Sequence, residues 1–137
     1  EVQMSATQLA TYMFILYQSC CTHYGGLIKA GQHNPLSEKD VKRLGSTYHA
    51  ICNLFRDTPI TDERSYIEDI PNIRGYIARI RTAIAHHIDD QDIRFYMPQD
   101  TDDKSRYHIA IECDKITLRT ASGDVPFEEY PLWKTLR

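Results

Sequence analysis

Arg81 and His86 stand at R-x4-H spacing inside an apolar run from Ile73 to Asp90. An arginine carries a fork of N–H donors that matches phosphate and stays charged at any working pH. A histidine, with an ordinary pKa near ~6.5, can take or give a proton around neutrality. Together these two types suit proton transfer at a phosphate ester. Ile73, Ile77, Ile80, Ile84 and Ile88 recur at three- and four-residue steps, so the run reads as a helix with one apolar stripe. At ~100° per residue, Arg74 and Arg81 fall on one flank of that stripe, Arg79 and His86 on the other, and Thr82 behind.

The segment Ile80-Arg81-Thr82-Ala83-Ile84-Ala85-His86 resembles the R-x4-6-H signature of HEPN domains, in which Arg is followed by a polar residue, most often Asn, then small or apolar residues and His. Thr82 stands here where Asn is usual. The resemblance covers about ten residues and the helical layout before them. It implies a small helical bundle that forms a homodimer through the Arg/His helix, and for many members a metal-independent endoribonuclease activity with no cofactor. In that reading Arg81 binds phosphate, His86 is the general acid/base, and Arg79, Thr82 and His87 support them or the RNA. A toxin or defence effector with a neutralising antitoxin is one deployment of such an activity. On a single ideal helix Arg81 and His86 lie ~140° and ~7.5 Å apart, which favours a site completed by a second copy.

Each of these residues also has a plainer role open to it. Arg81 can pair with Glu68 or Asp69, and His86 can interact with the partial negative charge at a helix C-terminus. His87 lies near the middle of the apolar stripe, where a histidine is more often a hydrogen-bonded core residue than a catalyst. Two other classes therefore stand beside the nuclease. One is a catalytically silent HEPN-like module for dimerisation or for RNA or protein binding; the other is an unrelated adaptor bundle working through its C-terminal hairpin and aromatic tail.

The elements that would position the pair follow from pattern and punctuation. A first helix is expected from about Ala6 to Lys29, with Ser5 as cap and Leu9, Met13, Leu16, Cys20 and Leu27 buried. After Gly31, Asn34 and Pro35, Ser37 opens a second helix through about Arg56, antiparallel to the first, with Val41, Leu44, Tyr48, Ile51 and Phe55 inward. Thr61 to Glu68 read as a short helix and Pro71 as the first residue of the Arg/His helix, the alternative being one continuous helix with a kink. Ile93, Phe95 and Met97 then alternate, and Tyr107–Cys113 with Ile116–Thr120 predict a β-hairpin turning at Asp114-Lys115. The tail bearing Phe127, Tyr130, Leu132, Trp133 and Leu136 is too aromatic for plain disorder and packs as a short helix or a partner-binding segment.

With 137 residues, 42% hydrophobic and 26% charged, the chain is expected to be one mainly α domain, 1–137. The resemblance implies a HEPN-like antiparallel bundle of about four helices to about residue 90, with a small β-hairpin and tail expected in 91–137. A net charge of −3 excludes binding nucleic acid by bulk electrostatics, so any RNA contact is local. The arginines at 74, 79, 81, 94 and 106 lie near the candidate site in sequence, with acids crowded into Asp89 to Asp92 and Asp100 to Asp103. Cys20, Cys21, Cys52 and Cys113, with no secretory signal and no Cys-x-x-Cys, are expected as reduced thiols of a soluble cytoplasmic protein. No apolar run approaches the ~20 residues that span a membrane. Cys20, His23, His49 and Cys52 offer an alternative zinc quartet across the first two helices, but lack the usual C-x2-4-C knuckles.

Overall fold

A computed structural model describes residues 4–29, 37–55, 66–87 and 93–136. It is mostly helical with two small antiparallel sheets. Helix α1 spans Ala6–Cys20, α2 Glu38–Asn53 and α3 Tyr66–His87, and two single turns, α4 at Ile93–Tyr96 and α5 at Leu132–Thr135, complete the α-helices among the described residues. No helix among the described residues is long and apolar enough to cross a membrane.

Ser5 caps α1 by accepting a bond from the Gln8 amide at 3.2 Å, and the Gln8 side chain accepts from the Ser5 amide at 3.1 Å. This reciprocal pairing satisfies two of the donors a helix start leaves bare. Helix α1 is the centre of the molecule. From Ala10 to Gln18 nearly every residue is buried, because α2, α3, β1 (Leu27–Ile28) and β3 (Arg106–His108) all pack on it. Leu9, expected inside, is exposed instead. The helix also stops well before the expected Lys29. Gly25 takes a left-handed φ of 70°, and the chain turns back so that Leu27 and Ile28 pair with Tyr107 and Arg106. Leu27 is still buried, but as part of a strand.

Gly26 is needed where it stands, since a Cβ there would lie 2.5 Å from the Tyr107 carbonyl oxygen. Backbone cannot yield as a side-chain tip does. Gly26→Ala is therefore expected to destabilise the fold by about 1–3 kcal/mol, a typical overpacking cost. Urea denaturation checks this, and a loss below about 0.5 kcal/mol, the range of an ordinary surface substitution, would refute it.

Helix α2 follows the expected pattern. Ser37 caps it, accepting from the Asp40 amide at 3.1 Å, and Glu38 and Asp40 complement the helix dipole in the first turn. Leu44, Tyr48 and Ile51 are buried, Tyr48 meeting Phe14 at 5.1 Å between ring centroids and Thr11 Oγ1 at 3.0 Å. Ala6, Thr7 and Ala10 share a small pocket with Cys52 and Phe55, so the start of α1 lies beside the end of α2 and the two run antiparallel. Burial raises the Tyr48 hydroxyl, which stays protonated.

Helix α3 is one helix through Pro71, as the continuous alternative requires, and not a short helix followed by a new start. Residues 61–65 lie outside the described residues. Beyond α3 the expected strand register fails. Ile93–Tyr96 is a helical turn; the strand β2 is Gln99–Asp100, and β3 sits between β1 and β2, with Gln99 opposite His108. The hairpin is displaced as well. Cys113–Lys115 forms a 3-10 turn, and β4 (Thr117–Thr120) pairs with β5 (Gly123–Pro126) around Ala121-Ser122, where Gly123 has φ 119°.

The tail belongs to the core. Trp133 is fully buried, its ring centroid 4.6 Å from Tyr17, 5.2 Å from Phe127 and 5.4 Å from Tyr130, and its indole N–H donates to the Phe127 carbonyl at 2.6 Å. Of the two roles expected for this segment, the packed short helix is the one adopted.

Candidate functional site

The isoleucine stripe of α3 is laid against the core: Ile73, Ile77, Ile80 and Ile84 are all buried. Every polar residue of interest is thereby turned to a flank or to the outside. Arg74, Arg79, Thr82 and His86 are exposed and Arg81 is half-buried. His87 ends the helix, and its side chain lies outside the described residues.

The two flanks have different fates. On one, Arg81 donates through Nε to the Pro98 carbonyl at 2.9 Å, and its Nη2 lies 3.9 Å from Asp100 Oδ1. The partner of Arg81 is thus the β2 segment; the side chains of Glu68 and Asp69 lie outside the described residues. Asp100 also accepts from Lys29 Nζ at 2.7 Å, and the Lys29 ammonium sits 4.5 Å from the Tyr107 ring centroid. The Lys29 hydrogen bond, with the charges of Lys29, Arg81 and Lys104, holds the Asp100 carboxyl below its ordinary value. A depressed carboxyl stabilises the fold above its unfolded-state pKa, and the contribution fades as acid protonates it. Being half exposed, this cluster is screened by solvent, and its main effect is to seat β2 against α3 and β1.

On the other flank Arg79, Thr82 and His86 line one shallow open groove of about 400 Å³ together with Ala78, Ala83 and Gln8. Arg79 and His86 are two turns apart, so they lie within ~20° of each other around the axis and ~10.5 Å along it. The small side chains of Ala78 and Ala83 leave the space between them open. Gln8 enters the opposite wall because the capping box fixes it at the first turn of α1. The first turn of α1 carries no acidic residue, so it brings no carboxylate to a groove already bearing a guanidinium and an imidazole. The Thr82 hydroxyl donates back to the Ala78 carbonyl at 3.1 Å, which leaves its methyl group to shape the groove.

The structure thus brings Arg79, Thr82 and His86 together and separates Arg81 from them across the helix. Neither Gln8, nor the Arg81 partners Pro98 and Asp100, nor Lys29, which shares Asp100 with it, is marked by the sequence. The Ser5-x-x-Gln8 spacing signals the capping box, whereas nothing local marks a contact from Arg81 to residues 17 and more positions away.

Two of the four cysteines depart from expectation, while Cys21 and Cys52 are thiols. Cys20 and Cys113, with Cα atoms 5.8 Å apart, form a disulfide, so they are not reduced thiols, and Cys20 is unavailable to a zinc quartet. His23 stacks on Tyr24 instead, at 4.0 Å between ring centroids, and His49 is buried on α2. Among the described residues, no group of three or more His, Cys, Asp or Glu is placed to hold a metal ion. Comparison with protein-family models, curated proteins and solved structures finds no match.

Proposed function

We propose that the protein is a metal-independent endoribonuclease of HEPN type that grips the RNA backbone in the α1–α3 groove. In this reading His86 is the acid/base group and Arg79 holds the phosphate, with Arg81 acting as a positioning residue that seats the β2 segment. The observation that carries it is the shared groove: one open wall presents a guanidinium and an imidazole on one helical flank, opposite Gln8 of α1. Such a surface selects an anion in spite of the net charge of −3, because the contact is local. Cleavage needs one group to take the 2′-hydroxyl proton and one to protonate the leaving oxygen. A second copy apposed across α3 would supply a second His86 for the other task.

A silent RNA-binding module is the second reading, favoured by the engagement of Arg81 with Pro98 and Asp100 and by the back-bonded Thr82 hydroxyl. The two diverge in an assay of a mixed single-stranded and structured RNA pool in EDTA. Cleavage supports the nuclease, and binding without cleavage supports the module. In either case Arg79→Ala is expected to weaken RNA binding roughly 10–100-fold, the loss of a hydrogen bond to a charged group, and to flatten the salt dependence by about one phosphate contact. Arg81→Ala should leave the affinity within a few-fold and lower the thermal midpoint instead. The reverse pattern would return the phosphate role to Arg81 and sink the groove assignment.

A further inference from the structure

We propose that Cys20 and Cys113 form a redox site, opened by a dithiol reductant, that controls how firmly the segment around β2 and β3 is fastened to α1. This inference is independent of the RNA reading. The bond joins the last residue of α1 to the first residue of the 3-10 turn Cys113–Lys115, and both half-cystines are partly exposed, so a reductant can reach the sulfurs. A third sulfur, the Cys21 thiol, is the next residue in the chain and is also partly exposed.

What the bond fastens is specific. Between its ends, the Ile109 amide donates to Ser19 Oγ at 3.3 Å and the Ile111 amide to the Phe95 carbonyl at 3.1 Å. Residues 106–108 hold both β1 and β2, and β2 with Pro98 holds Arg81. Trp133 packs on Tyr17 of α1 and on Phe127 through ring contacts in which neither sulfur takes part. Opening the bridge therefore loosens the β-segment while the tail stays seated.

The chemistry balances with an external dithiol. One reductant thiolate attacks a sulfur of the bridge, giving a mixed disulfide and releasing one protein thiolate. The second reductant thiol then closes on its partner and releases the other. Two electrons pass to the protein, Cys20 and Cys113 take up protons as thiols, and the reductant leaves as a disulfide. A reducing compartment holds the site open and an oxidising one closes it.

The test uses the whole native chain, purified without reductant and then equilibrated with millimolar dithiothreitol. Alkylation with mass mapping, backbone hydrogen exchange, Trp133 fluorescence and the thermal midpoint are read in both states. Expected are two additional alkylated sites at Cys20 and Cys113, faster exchange at Ile109 and Ile111, and an unchanged Trp133 spectrum. Closing a loop of 93 residues implies a fall in midpoint of about 10–20 °C on reduction. The Cys20→Ser/Cys113→Ser double variant should reproduce the reduced state without reductant, while Cys21→Ser should retain the bridge and its response to reductant. Three results would overturn the proposal: a bridge that resists reduction in the folded protein, thiols at both positions before reductant is added, or reduction (or the double variant) that unfolds the chain and exposes Trp133.

Discussion

His86→Ala is expected to slow RNA cleavage in EDTA about 10²–10⁴-fold, the range associated with removing a general acid or base. The folded state should scarcely notice, because the imidazole is exposed at the end of α3 and substitutions at such positions usually change stability by less than about 0.5 kcal/mol. This separation makes the variant informative. A drop in rate with an intact thermal midpoint and intact RNA affinity places the loss in the chemical step. The open groove around the truncated position also has room for a small molecule, so added imidazole should restore part of the activity. If the variant and the native protein cut equally, His86 has no part in the reaction and any cleavage must come from another group or another protein. If the native protein binds RNA and does not cut it, the binding-module reading takes over and His86→Ala should then weaken affinity alone.

The prominence of α3 was legible in the sequence because its information is local. Isoleucines at three- and four-residue steps define a stripe, and the stripe alone dictates that Arg79 and His86 share one flank and Arg81 the other. The structure keeps that geometry: Ile73, Ile77, Ile80 and Ile84 are buried, with Arg79 and His86 in one groove. What the periodicity could not supply was the environment on each flank. Arg81 is taken by a carbonyl and a carboxylate of β2, and β2 itself was missed, because Ile93, Phe95 and Met97 alternate like a strand yet the first of these residues make a helical turn. The strand pairings join Leu27 to Tyr107 and Gln99 to His108, and such short pieces carry too few residues to show a period. The Cys20–Cys113 bridge is of the same kind: its ends are 93 residues apart, and cysteine spacing alone does not determine connectivity. Caps behaved otherwise. Ser5 and Ser37 begin their helices as their sequences indicate, since a cap is a contact across three residues.

Trp133→Ala is expected to cost about 3–5 kcal/mol, the range for removing a large buried aromatic side chain. Domains of this kind have roughly 5–15 kcal/mol of stability in all, so the variant would stand close to unfolding. Three rings lose their central neighbour together, since Tyr17 from α1, Phe127 and Tyr130 all pack on the indole. Removing it also leaves the Phe127 carbonyl, itself in a fully buried residue, without the donor that reaches it at 2.6 Å. Trp133→Phe separates these contributions. It keeps much of the apolar volume but removes the N–H, and because the Tyr130 amide still donates to the same carbonyl at 3.3 Å, its cost should fall near the about 0.5–1.5 kcal/mol of one hydrogen bond. Urea unfolding followed by circular dichroism gives both numbers without relying on the tryptophan signal. Because α1 carries one of the three rings, damage at position 133 should propagate to the helix that supplies Gln8 to the groove. A loss below about 1 kcal/mol for Trp133→Ala would mean that the tail is peripheral, leaving the first three helices to hold α1 in place by themselves.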